Sequence, residues 1–191
     1  MTTKPDLVAA SPGLVRRLLR ENQQMGQRLA QYEFGKMQKE LGNKELFDLE
    51  IQFPGIAPAR TPRIPPVTLD PVARRLPAIN VPLGSIAWVQ NPQTLPVLGI
   101  FVPDCPQATL RKALHGLLIA HATEPFARMV FICESLRPIP FLGRYKFAYE
   151  YIGATALAEV AERMALRYAI TQIRDLLQPG SVLLRFKSKP G

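Results

Sequence analysis

The chain has 191 residues, 47% of them hydrophobic, which is enough for one domain with its own core and an extension. No stretch approaches the roughly 18 uncharged apolar residues of a membrane-spanning helix, and the opening residues lack the basic-then-apolar pattern of a secretory signal. The two cysteines, Cys105 and Cys133, fit a reduced compartment better than a disulfide scaffold. We therefore expect a cytoplasmic protein with no membrane partner.

The charge balance points to anionic partners. Lysine and arginine number 24 against 15 acidic residues, a formal net charge of +9. The excess lies in residues 1–44 and 104–191, whereas residues 45–103 are balanced. Because basic surfaces attract polyanions by electrostatic steering and counterion release, nucleic acid is one expected partner. An acidic protein surface is the other, so charge alone leaves DNA, RNA and protein open.

The first segment, residues 1–44, is predicted to be a basic helix. Ser11-Pro12 is a typical helix start, since serine caps free amides and proline suits the first helical position. Residues at spacings of three and four then form a narrow seam along one side of this helix. The seam comprises Val15, Leu18, Asn22, Met25, Leu29 and Tyr32. Arg16, Arg17, Arg20 and Arg28 lie outside it.

The seam has two possible uses. It could dock on the chain's own domain, as amphipathic surface helices often do, or it could bind a partner. Asn22 fits either, because an asparagine in such a seam can fix the register of paired helices or reach solvent. Val15, Leu18, Met25, Leu29 and Tyr32 are accordingly the candidate partner-binding residues.

Residues 45–83 are predicted to form an extended arm. Residues 54–82 contain eight prolines, which exclude a central strand or a long helix. The arm carries Arg60, Arg63, Arg74 and Arg75 as candidate anion contacts. Its apolar residues need a surface to lie on, either the chain's own core or that of a partner.

Residues 84–191 are predicted to form an α/β core domain. Apolar runs indicate strands over 85–90, 95–102, 128–134 and 181–186, and strict alternation indicates another over 144–152. Helical periodicity is seen from Asp104 to about His121, and over 154–177. The order β-β-α-β-β-α-β predicts an α+β, ferredoxin-like βαββαβ antiparallel sheet with an extra N-terminal strand. Both helices would cover one face of that sheet.

This domain contains two further candidate sites. A row of aromatic residues on strand 144–152 could stack on nucleic-acid bases, although packing is the commoner role for such a row. Arg144 and Lys146 at this strand are candidate phosphate contacts. Asp104, Cys105 and Glu134 could form a nuclease or thiol-hydrolase site, but no histidine on the same helix can reach Cys105 and metal-ligand spacings are absent.

The sequence therefore predicts a non-enzymatic accessory or structural subunit of a larger assembly, with no cofactor and no metal. It would bind other subunits through the seam and arm, and nucleic acid through its arginines. A pure protein-interaction subunit is the first alternative. A small hydrolase around Asp104, Cys105 and Glu134 is the second.

Overall fold

The computed structural model describes residues 11–43 and 77–186. Four helices and five strands occupy these ranges. They are α1 (Pro12–Gly42), β1 (Val97–Val102), α2 (Gln107–Thr123), β2 (Arg128–Cys133), α3 (Ile139–Arg144), β3 (Ala148–Tyr151), α4 (Leu157–Tyr168), β4 (Ile170–Asp175) and β5 (Val182–Arg185). A short 3-10 turn at Pro92–Thr94 precedes β1.

The five strands form one mixed sheet in the order β3-β2-β1-β4-β5. The pairs β1–β2, β2–β3 and β1–β4 are parallel, and β5 alone runs antiparallel, against β4. Parallel neighbours need a crossover connection, and the chain supplies α2, α3 and α4 for the three crossovers. The strand order reverses at β1, with β2 on one side and β4 on the other, which makes the sheet doubly wound.

The predicted antiparallel ferredoxin-like sheet is therefore wrong. The predicted helix over 154–177 is in fact α4 followed by β4, because Ile170, Ile173 and Leu176 repeat every three residues and imitate a helical stripe. The chain turns at Ala169, whose φ of 54° ends the helix in the left-handed region. A predicted loop contains α3, and no strand forms over 85–90. Because the prediction lacked α3 and β4, three parallel crossovers were replaced by an apparent βαββαβ order.

The predicted aromatic row on residues 144–152 is also broken. Only Ala148–Tyr151 form a strand, so Tyr145 and Phe147 precede it and are buried in the core. Tyr149 and Tyr151 remain exposed. The row is not a continuous stacking surface, because the last residue of α3 and the turn after it occupy the first part of the segment.

The sheet is covered on both faces, which corrects the expectation that helices cover only one. Met129, Phe131 and Cys133 of β2 pack in a cluster with α2, α3 and the end of α1. Val130 and Ile132, on the alternate side of the same strand, pack in a second cluster with α4. Burial on both faces explains why β1 and β2 are almost continuously apolar.

Only the second half of α1 docks on this domain. Met37 and Leu41 are buried in the first cluster, and Phe34 packs against it. The helix approaches so closely at Gly26 that a Cβ there would lie 2.0 Å from the Trp88 indole nitrogen. Arg111 of α2 donates hydrogen bonds to the carbonyls of Leu41 and Gly42, at 2.7 and 2.9 Å, and so caps the helix end.

A polar contact between α1 and α3 strengthens this docking. The Glu40 carboxylate accepts a hydrogen bond of 2.7 Å from the Tyr145 hydroxyl and one of 2.9 Å from Arg144, with which it also forms an ion pair. Burial, reinforced by the Glu40 carboxylate, raises the pKa of Tyr145 well above its usual range. Tyr145 therefore remains a neutral donor, and the orientation of α1 about its own axis is fixed.

Two methionines of α1 provide a test of this half-docked arrangement. We expect Met37→Ala to lower the free energy of unfolding by about 2–5 kcal/mol, because it opens a cavity in the core. Met25→Ala, at a position 63% exposed, is expected to change it by less than about 0.5 kcal/mol. Urea unfolding of dilute protein measures both. Equal losses in the two variants would contradict the docking.

Candidate functional site

The first half of α1 projects from the domain. Residues 11–25 are all exposed, a length of about 20 Å at 1.5 Å per residue. The apolar seam residues are among the most exposed hydrophobic side chains that the structure describes: Val15 41%, Leu18 54%, Met25 63%, Leu29 61% and Tyr32 69%. Within residues 11–43 and 77–186 nothing covers the seam.

The helix docks on its domain through a different stripe. Ala30, Met37 and Leu41 are buried, and Phe34 packs beside them. At 100° per residue, the centre of this stripe lies about 120° around the helix axis from the centre of the seam. The seam therefore stays exposed even where the helix is docked. A sequence search could have found this second stripe, since its spacings of three and four match those of the seam.

The predicted arginine contacts on α1 are exposed as well. Arg16, Arg17, Arg20 and Arg28 lie at least about 90° from the centre of the seam. Within the described part of the chain, only Arg17 among them is ion-paired, with Glu21 at 2.8 Å. Such an exposed pair contributes little energy and can reopen for a ligand. The projecting half of α1 thus has an apolar side and a cationic side.

The other predicted phosphate contacts do not join this group. Arg144 is paired with Glu40, and Lys146 is exposed in the turn after α3 with a φ of 58°. Arg60, Arg63, Arg74 and Arg75 lie outside the described residues. The structure therefore brings together only the four α1 arginines.

A second candidate site is the switch point of the doubly wound sheet, beyond the carboxyl ends of β1 and β4. Ligands of such folds bind there, commonly on a glycine-rich loop at a helix N-terminus. Here the loop after β1 is Pro103-Asp104-Cys105-Pro106, with a proline on each side. Three carboxylates, those of Asp104, Glu134 and Asp175, lie at or just after the ends of neighbouring strands. The loop thus combines negative charge with restricted backbone, which disfavours a phosphate ligand.

Of the predicted hydrolase residues, Glu134 has a structural role at this point. The Glu134 carboxylate accepts a 2.9 Å hydrogen bond from the backbone N–H of Asp104 and so ties the ends of β1 and β2 together. Burial raises the pKa of the Cys105 thiol, and the nearby Asp104 and Asp175 raise it further, against a smaller opposing effect of Arg137. A thiol with a raised pKa is a poor nucleophile at neutral pH. Among the described residues, no three metal-ligating side chains lie close enough to hold a cation.

His121 is a buried titratable group that sequence reasoning placed on the apolar stripe of α2. Its Nε2 donates a 3.0 Å hydrogen bond to the Leu83 carbonyl, and its ring packs edge-on against Phe126. The buried Nδ1 has no hydrogen-bond partner in the described structure. Burial lowers the pKa of His121, so the imidazole is neutral and acts in packing.

Comparison with protein-family models, with curated proteins and with solved structures found no match to this chain. Of the helices in residues 11–43 and 77–186, none has the length and apolar character needed to cross a membrane. The exposed apolar and cationic residues of the projecting helix are therefore the candidate functional surface.

The raised pKa of Cys105 predicts slow chemistry at this thiol. We expect iodoacetamide at pH 7 to alkylate Cys105 more slowly than an unstructured cysteine peptide, with the rate still rising above pH 9. Mass spectrometry follows the reaction. In the Cys105→Ser control only Cys133 remains, and because burial raises its pKa to about 12, the native protein should stay unlabelled. Rapid alkylation of Cys105 at pH 7 would contradict this expectation and support the hydrolase hypothesis.

His121 predicts a loss of stability in mild acid. Its folded-state pKa lies below the ordinary value of 6.5, so only the unfolded chain takes up a proton as the pH falls through that value. The free energy of unfolding should therefore decrease below about pH 6.5, and it should be unaffected by this group at higher pH. Chemical unfolding at pH 5.5 and 8 measures the difference. His121→Phe should remove that component, whereas His115→Gln, at an exposed position, should retain it.

Proposed function

We propose that this protein is a non-enzymatic subunit of a larger macromolecular assembly, which binds another protein chain through the seam of α1 and nucleic acid through the arginines of the same helix. The observation that carries the proposal is the projecting half of α1, exposed on both its apolar and its cationic sides. We place this role in the cytoplasm.

The apolar side supports the protein-binding part. Seam residues 41–69% exposed leave apolar surface in water, at a cost of about 25 cal/mol for each Å². An exposed apolar stripe of this kind is typical of a helix that packs against another chain. The domain holds the base of the helix rigidly through Met37, Leu41 and Glu40, so the projecting half is presented in one orientation.

The cationic side supports the nucleic-acid part. Arg16 and Arg20 are fully available within the described structure, and arginine forms bidentate hydrogen bonds with phosphate. On one helix face, their spacing of four residues places both guanidinium groups on the same side. Arginines so arranged can contact successive phosphates of a backbone without reading its sequence, so DNA and RNA are both suitable partners.

A pure protein-interaction role is the second candidate. The exposed apolar seam favours this role, because it can bind another protein in the absence of nucleic acid. In that case the arginines would contact acidic side chains at the rim of a protein interface, where they would affect association rate more than affinity.

The nucleic-acid part is tested by salt-titrated fluorescence anisotropy with a random-sequence oligonucleotide. Because each phosphate contact releases counterions, log K should fall linearly with log salt concentration. Replacing Arg16 and Arg20 by glutamine should weaken binding and make the slope shallower by about one for each contact removed.

The control removes the same two charges elsewhere. Arg163→Gln with Arg185→Gln, both exposed positions outside α1, should leave the affinity and the slope nearly unchanged. Equal effects of the two double variants would indicate binding by general charge. No binding at low ionic strength would overturn the nucleic-acid part and leave the pure protein-interaction role.

A further inference from the structure

We propose that the seam of α1 binds the seam of a second copy of this chain, parallel and in register, as a short two-stranded coiled coil. This inference deepens the proposed function, on whose exposed seam it rests, by naming the partner. It also explains why α1 docks on its domain through one stripe while keeping a second stripe free.

The seam has the residue pattern of a parallel dimer. In heptad terms Val15, Asn22 and Leu29 occupy the a positions, and Leu18, Met25 and Tyr32 the d positions. The first heptad combines a β-branched residue at a with leucine at d, Val15 and Leu18, which favours two strands, whereas Leu29 at a does not follow this pattern. Each of the five apolar seam residues is at least 41% exposed, so no rearrangement of the domain is needed to pair them.

Asn22 argues for a second copy in particular. An amide buried against the apolar seam of an unrelated protein would lose its hydrogen bonds to water without replacement. In a parallel, in-register pair the two Asn22 side chains face each other and can bond together. An antiparallel pair would instead set Asn22 against an apolar d residue. The position of Asn22 therefore favours a second copy, in parallel register, over an unrelated apolar surface.

The residues that flank the seam are complementary between copies. Arg28 occupies a g position and Glu33 the following e position, so in a parallel pair Arg28 of one copy lies beside Glu33 of the other. Toward the start of the helix, Leu14 (49% exposed) at g and Leu19 (59% exposed) at e make the corresponding apolar contact. Charge attraction at one end and apolar contact at the other hold the same register.

The docking stripe is centred about 120° around the helix from the seam, which places most of each domain on the outer side of a paired helix. Trp88 of the domain lies beside Gly26, an e position at the edge of the seam, and leaves the a and d positions exposed. The seam spans residues 15–32, about 26 Å, which is fewer than three heptads. Helices of this length pair weakly in isolation, so we expect a dimer that dissociates on dilution. The α1 arginines Arg16 and Arg20 lie away from the seam, and two copies would double the cationic surface offered to a polyanion.

Sedimentation equilibrium over a wide concentration range tests the dimer. The protein should pass from monomer to dimer as its concentration rises, without larger species. Leu29→Glu should weaken dimerisation at least a hundredfold, because it places two like charges together within the seam. Leu166→Glu, the same substitution at a 41% exposed position on α4, should dimerise as the unaltered chain does.

Two variants of Asn22 test direction and register. In a Cys105→Ser background, Asn22→Cys should form an intermolecular disulfide under mild oxidation, since only a parallel, in-register pair brings both copies of residue 22 together. Gln24→Cys, on the far side of the helix, should not. Asn22→Val should tighten association and allow larger oligomers, because the register-fixing amide is removed.

The outcomes separate this inference from the proposed function. A chain that stays monomeric at all concentrations, yet binds the oligonucleotide with the predicted salt slope, overturns the dimer and retains the function. A dimer that persists in Leu29→Glu overturns the seam as its interface. A monomer that binds vesicles of anionic lipid, and loses that binding in Leu29→Glu, would assign the seam to a membrane surface instead.

Discussion

The docking of α1 on α2 is the constraint from which the rest of this structure follows. A helix with two apolar stripes about 120° apart can bury only one of them against a single surface. The stripe of Met37 and Leu41 is buried in the domain, and Arg111 caps its last carbonyls while Glu40 joins it to α3. Those contacts fix the helix about its axis, so the seam faces solvent along its whole length. Because the base of the helix is held rigidly, binding of a partner to the seam costs less conformational entropy than binding to a loosely attached amphipathic segment would.

At the switch point of the core sheet, the described residues form no glycine-rich loop of the kind that holds phosphate. A doubly wound sheet brings loop ends together at its switch point, where ligands bind in many proteins of this architecture. In this chain the loop after β1 holds two prolines in place of glycines, and carboxylates surround it. Glu134 uses its carboxylate to join two strands, and the Cys105 thiol is kept protonated by burial and neighbouring negative charge. Of these polar groups, Glu134 therefore has a structural role, in joining the two strands.

The predicted elements are correct where a single helix or strand contains all the apolar residues of a segment. The structure confirms four of them close to their predicted bounds: the start of α1, the stripe of α2, the buried strand β2 and the last strand β5. The predictions are wrong where two consecutive elements have apolar residues at the same spacing. In β4 a spacing of three between buried isoleucines extended a helical pattern beyond Ala169, whose left-handed backbone no residue type announces. In α3 the prolines indicated a loop, although Pro140 lies within the first turn of the helix, where proline is tolerated.

The sequence by itself determined that a basic, amphipathic helix begins at Ser11-Pro12, that its seam carries Asn22, and that an α/β core follows, because these depend on local spacing and on the preference of proline for the first turn of a helix. The predicted serine cap is wrong, since the Ser11 side chain forms no capping hydrogen bond. Only the tertiary structure decided which stripe of the helix is buried, which arginines stay free, and whether the strands run parallel. Such properties depend on contacts between residues far apart in the chain, such as the ion pair of Arg144 with Glu40 and the burial of Tyr145 beneath α1. Periodicity identifies a surface that must be covered, but it does not contain the identity of what covers it.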